Sequence, residues 1–239
     1  MIKDWPLILW LPLWFWLFVA PAGLALTLYG FRTRLMPALN VIWAGLDRVY
    51  LASGILASAF MVSILLIIIV QMIARWTGFT FEGSTEFAGY AMAATSFFAL
   101  AHAFGRGAHI RVSIFLNLNH FTKKWLDGFA MLVAAITATY FARFAVKTNF
   151  MSELLNDRTQ GQDQIPQFIV SFLSLFGQSP ADWSSSLATG SAGGWIYTPV
   201  WVPQISMSVG TILLAICLWD HFIRLVVTGH SSIKRETVE

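Results

Sequence analysis

Charge is what this chain has least of. Only 11% of its 239 residues are Asp, Glu, Lys or Arg, against about 25% in an ordinary soluble domain. A solvated globular surface is hard to build from so little charge, and 57% hydrophobic residues exclude a disordered tail. Cysteine occurs once, as Cys217 in an apolar run, which excludes a disulfide framework or a cysteine-built zinc site within one chain. The net charge is only +3 and no basic run follows a groove-binding pattern, so nucleic acid is not an expected partner. There is no Gly-rich phosphate loop, no H-E-x-x-H and no G-x-S-x-G, and Gly105-Arg106-Gly107 is too short for a nucleotide fingerprint. The chain does not read as an enzyme. What remains is an all-α integral membrane protein.

The gaps between charges give the spans. Crossing a hydrocarbon core of about 30 Å takes roughly 20 helical residues. Arg48 and Arg75 enclose 26 uncharged residues, and 12 of the 20 residues at 51–70 are Leu, Ile, Val or Phe. A second gap runs from Phe87 to Gly105, and a fourth from Gln204 to Trp219 after Pro199 and Pro203. The third is less clean, because Asp127 and Arg143 enclose only 15 uncharged residues. A helix from Trp125 to Lys147 spans if those charged ends snorkel to the interfaces, with Trp125 and Tyr140 as anchors. Four core spans are therefore expected, at about 49–74, 87–105, 125–147 and 203–220. They fall within a membrane domain at 46–226, followed by a tail at 227–239.

The segment 1–45 is extra. Asp4 and Arg32 enclose 27 uncharged residues rich in Trp, interrupted by Pro12 and Pro21. An additional apolar helix, kinked or partly interfacial, is expected there. A cleaved leader is the alternative, since Ala20-Pro21-Ala22 resembles a small-residue cleavage site, but the stretch is long and aromatic for one. Ile110 to Phe121 carries Ile110, Ile114, Phe115, Leu118 and Phe121 at near-helical spacing, which reads as an amphipathic helix on the membrane surface or against a partner. The long connection at 150–198 holds an apolar stretch from Ile165 to Phe176 that is too short to span, and so is interfacial or partner-facing.

Basic residues give the orientation. One arrangement puts Arg32, Arg34, Arg48, Arg106, Arg111, Lys123, Lys124, Arg224, Lys234 and Arg235 on one side, 10 of the 15 Lys and Arg. The positive-inside rule makes that side, and the C-terminus, cytoplasmic.

A carrier needs polar groups at mid-membrane to grip its cargo. Here the mid-span polar residues are Ser63, Thr95, Ser96 and Thr137, which are expected to bond to their own helices. The second span is built of small residues, and Gly89/Ala93 and Gly54/Ser58 form small-xxx-small pairs that let helices approach within the chain or against another subunit. Trp76, Trp195 and Trp201 fit an aromatic belt. His102 and His221 lie near the same ends of two spans, the arrangement that bis-histidine haem ligation needs. A haem-binding membrane anchor of a redox complex is thus the alternative function.

Three stretches carry a resemblance. Ser84-Thr85-Glu86-Phe87 opens a small-residue helix that closes at Phe104-Gly105-Arg106-Gly107-Ala108-His109-Ile110-Arg111-Val112, and Thr198-Pro199-Val200-Trp201-Val202-Pro203-Gln204 leads into the last span. In their order, over about 46–226, these resemble the small membrane subunit of tripartite ATP-independent periplasmic (TRAP) transporters, the DctQ type. The chain departs from that pattern in its solitary Glu86, in Ser113 where an acid commonly stands, in its long outer connection and in its N-terminal segment. The resemblance implies a scaffold in a bacterial inner membrane that binds neither substrate nor cofactor. It would support a large elevator-type subunit in sodium-coupled uptake of an organic acid delivered by a periplasmic binding protein. Position at the helix ends and the inner turn makes Arg75, Glu86, Arg106, His109 and Arg111 candidate partner-interface or structural residues, with an Arg75–Glu86 ion pair as one expectation.

Overall fold

In the computed structural model, residues 5–106, 120–175 and 178–229 are described. Among these described residues, four helices are long and apolar enough to cross a membrane: α2 (Arg32–Thr77), α3 (Ser84–Gly105), α4 (His120–Leu154) and α7 (Trp201–Thr228). They correspond in order to the expected spans, and α2, α4 and α7 run further than the uncharged stretches do. At 1.5 Å per residue, the 46 residues of α2 measure about 69 Å, more than twice a hydrocarbon core. A charge marks where a helix leaves lipid, not where its hydrogen bonding stops, so Asp47 and Arg48 sit well inside α2. Pro37 is also accommodated there. The amphipathic helix expected at 110–121 falls almost wholly outside the described residues.

The additional apolar helix expected in the N-terminal segment is present, and it is shorter than the uncharged stretch at 5–31. Strands β1 (Leu7–Ile8) and β2 (Leu11–Pro12) pair around Leu9 and Trp10, whose φ of 49° and 68° make the tight turn. A π-helical turn at Phe15–Val19 then runs into α1 (Ala20–Gly30). The continuous apolar helix is Phe15–Gly30, about 24 Å long and short of a full crossing.

The chain divides into two compact units, Met1–Ile55 with Phe98–Phe144 and Val209–Glu239, and Leu56–Phe97 with Ala145–Ser208. In the first, α4 and α7 pack through Met131, Ala135, Ala138, Ala142, Ala215, Leu218 and Trp219, joined by Ala22 of α1 and Phe104 of α3. Alanine dominates this core because it lets backbones approach closely where lipid supplies no hydrophobic drive. The Trp219 indole N–H donates to the Thr139 hydroxyl at 2.9 Å, which itself donates to the Ala135 carbonyl at 2.7 Å. Tyr50, Ala101 and Cys217 form a second buried cluster, with the Cys217 thiol 3.5 Å from the Ala101 carbonyl.

In the second unit the connection between α4 and α7 is structured. Strand β3 (Gln164–Pro166) pairs antiparallel with β4 (Trp195–Tyr197), and between them stand α5 (Gln167–Ser174), a 3-10 turn at Pro180–Asp182, and α6 (Trp183–Ala192). The apolar stretch expected from Ile165 is α5, and it is short, as its sequence requires. Trp201 is the exception to the aromatic belt. Trp76 and Trp195 are exposed, but Trp201 is buried at the start of α7, where its carbonyl accepts from the Asn149 amide at 2.9 Å.

Candidate functional site

The hydroxyls at mid-span are occupied locally. Ser63 donates to the Ala59 carbonyl, Thr95 to Ala91, Ser96 to Met92 and Thr137 to Val133, each at 2.9–3.0 Å. Each bond stays within one helix. The small residues divide less simply. A β-carbon on Gly54 would lie 2.6 Å from Cγ of His102, so α2 and α3 approach closely at Gly54. Gly89 faces open space, and the buried small residues of α3 are Ser84, Ala91, Ala94 and Ala101.

Among the described residues of the first unit, charged side chains are buried around Arg224. The Arg224 guanidinium on α7 lies between two carboxylates, 2.7 Å from Asp220 Oδ2 one helical turn earlier and 2.8 Å from Asp47 Oδ1 on α2. It also donates to the Trp43 carbonyl at 3.3 Å and lies over the Trp43 ring, 5.4 Å from its centroid. The Tyr50 hydroxyl donates to Asp220 Oδ2 at 3.3 Å. Arg224 and Asp220 are nearly inaccessible, whereas the Asp47 side chain is 57% exposed. Isolated charges this deep are prohibitive, and pairing makes them tolerable. The arrangement clamps α7 to α2.

Beside this clamp is a cavity of about 300 Å³, lined by Asp47, Tyr50, His102, Arg106, His221 and Arg224 among others. It brings together both histidines singled out in the sequence, together with Arg106. Phe104 and Tyr50 flank the His221 ring, with centroids 5.5 and 6.5 Å away. His109 and Arg111, the other two residues expected at this turn, lie outside the described residues. Nothing in the sequence paired Asp47 with Arg224, since 177 positions separate them. The four-residue spacing of Asp220 and Arg224 is the one signal that was visible.

The second unit is organised around a different carboxylate. Asp163 is fully buried, and its side chain accepts from the Tyr90 hydroxyl at 2.6 Å and from the Thr159 hydroxyl at 2.9 Å. Its backbone carbonyl accepts from the Thr198 amide and hydroxyl, both at 3.1 Å. Burial alone raises the Asp163 pKa, but the hydrogen bonds from Tyr90, Thr198 and Thr159 outweigh it and hold the carboxyl below the usual carboxylate range. Gly83, at φ +75°, lets the start of α3 approach to where a β-carbon would stand 2.8 Å from Asp163 Cα.

Glu86 belongs to this hub. In the first turn of α3, where the helix dipole favours an acid, it accepts from the Gln162 amide at 3.3 Å and lies against Gly161. The anticipated partner Arg75 is instead exposed in the last turn of α2. Glu86 thus ties the 158–163 loop to α3.

Comparison with known proteins agrees with this architecture. No curated protein and no solved structure matches the chain. Residues 64–181 match the family described as tripartite ATP-independent periplasmic transporters, DctQ component. The match runs from the last 14 residues of α2 through α3, α4, β3 and α5 to the 3-10 turn at Pro180–Asp182, and takes in the first two resembling stretches but not the third. The chain belongs to the DctQ family, the small membrane component of TRAP transporters.

Proposed function

We propose that this chain is a scaffold: it holds a larger elevator-type membrane subunit in the bilayer and does not itself bind the transported solute. The observation that carries the reading is how the polar groups of the spans are used. Mid-span hydroxyls bond to their own helices, and the Arg224 guanidinium engages Asp47 and Asp220 of the same chain. A second observation supports it. Only 11% of the most apolar window of α2 and 17% of that of α3 are buried, against 56% for α7. α2 and α3 therefore offer long apolar faces to lipid and to a second subunit.

In this reading the larger subunit couples sodium to uptake of an organic acid, and a periplasmic binding protein delivers the acid. The chain lies in a bacterial inner membrane with its C-terminus in the cytoplasm, as its basic residues favour. Arg106, His109 and Arg111 then face the cytoplasm as anchors or partner contacts, and Arg75 and Glu86 lie at the periplasmic ends. Co-expression with its large subunit tests the scaffold. The tagged chain should carry that subunit through purification in mild detergent, and recovery of the chain alone contradicts the reading.

The shared cavity of His102 and His221 favours one other reading, a haem-carrying anchor. An absorption spectrum separates the two. A Soret band lost on replacing either histidine supports haem, and a colourless protein removes it.

A further inference from the structure

We propose that the α5–α6 hairpin is an interfacial membrane element, with the apolar face of α5 among phospholipid acyl chains and α6 above it toward water. The inference needs only that the four long helices span a bilayer, and stands or falls separately from the scaffold role.

The two helices present opposite chemistry to their surroundings. On α5, Phe168, Ile169 and Phe172 are 48%, 44% and 49% exposed. Its polar side chains turn inward: Ser171 packs against Gly190 of α6, and Gln167 against Gly193. A helix lying on water has the reverse pattern. On α6 the exposed side chains include Ser184, Ser185, Thr189 and Ser191. The hairpin as a whole is therefore amphipathic, apolar along α5 and hydroxylated along α6.

Composition and position point to lipid as the occupant. From Gln164 to Val200 the 37 residues carry one charged side chain, Asp182, where a water-facing stretch of that length would hold about nine. Asp182 stands at the start of α6, accepting from the Ser179 hydroxyl at 2.7 Å, and so on the hydroxylated side. Trp183, Trp195 and Tyr197 are exposed at 44%, 68% and 50%, the amphipathic rings that concentrate at a membrane–water boundary. A protein-binding patch normally has a polar rim, and here the exposed aromatic residues stand in a stretch with a single charge. The root of the hairpin is also continuous with a span. Thr198 to Val200 join β4 directly to α7, and the Thr159 amide donates to the Thr198 carbonyl at 3.0 Å. With 8 residues, α5 is about 12 Å long, enough to lie in one leaflet and too short to cross.

Spin labels test this in the full chain, reconstituted alone in phospholipid nanodiscs. Cys217 is replaced by Ala, and a single cysteine is introduced at Phe168, Ile169, Phe172 or, as control, Ser184. Labels at the three α5 positions should collide with oxygen several-fold more, relative to a water-soluble nickel chelate, than the label at Ser184. Ready access of the chelate to α5 overturns the proposal, because the hairpin then stands in water. Immobile labels shielded from both reagents overturn it too, because protein, such as a second copy, then covers α5. Three positions keep the result readable if one variant fails to fold.

Discussion

Arg224 is the residue on which most of the buried charge depends, and its partners differ in what their loss should cost. Replacing Arg224 with Ala leaves Asp220 buried without its countercharge, a change that costs about 3–5 kcal/mol in comparable pairs. Asp47 is 57% exposed, so Asp47→Asn should cost under about 1 kcal/mol. Thermal unfolding in detergent should therefore rank R224A well below D47N, and equal losses would contradict the clamp. Gly54 gives a second residue-level outcome. G54A pushes a methyl group into the His102 ring and should lower stability, and H102A should recover much of that loss in the double variant. Additive losses would show that the contact is not what constrains Gly54.

Asp163 governs the acid side of the stability profile. Its folded pKa is depressed, so its contribution is fully present above the unfolded value of about 3.9. It is lost as pH falls through the folded value. Unfolding midpoints measured from neutral pH downward should fall below about pH 4 in the parent, and Asp163→Asn should flatten that part of the curve. An unchanged slope in D163N would assign the acid loss to other carboxylates.

At the scale of elements, the spans were legible because a low-charge chain writes its crossings as gaps between charges. The 26 uncharged residues at 49–74 located the core of α2. They did not locate its start, because the helix continues through Asp47 and Arg48 to Arg32. Self-bonding of Ser63, Thr95, Ser96 and Thr137 was equally legible, since hydroxyls in a helix reach the preceding turn. The Asp47–Arg224 pair, the Asp163 hub and the burial of Trp201 were not, because each depends on how distant elements pack. For Glu86 the sequence showed a helix-opening acid, but not the loop that claims it. The orientation of these elements is testable through α7. A green fluorescent protein fused after residue 239 should fluoresce and alkaline phosphatase fused there should be inactive. The opposite pattern would invert the positive-inside assignment.

For the whole molecule, the proposed scaffold role is a division of labour in which polar groups inside these spans engage their own chain and solute recognition falls to another subunit. Family membership gives the chain its place as the small membrane component of a tripartite transporter. The most direct measurement is sodium-driven uptake of an organic acid into proteoliposomes, comparing the chain alone, the chain with its large subunit, and both with the binding protein. The account predicts no uptake by the chain alone and sodium-dependent uptake only from the complete set. Uptake by the isolated chain, above that of empty liposomes, would contradict it.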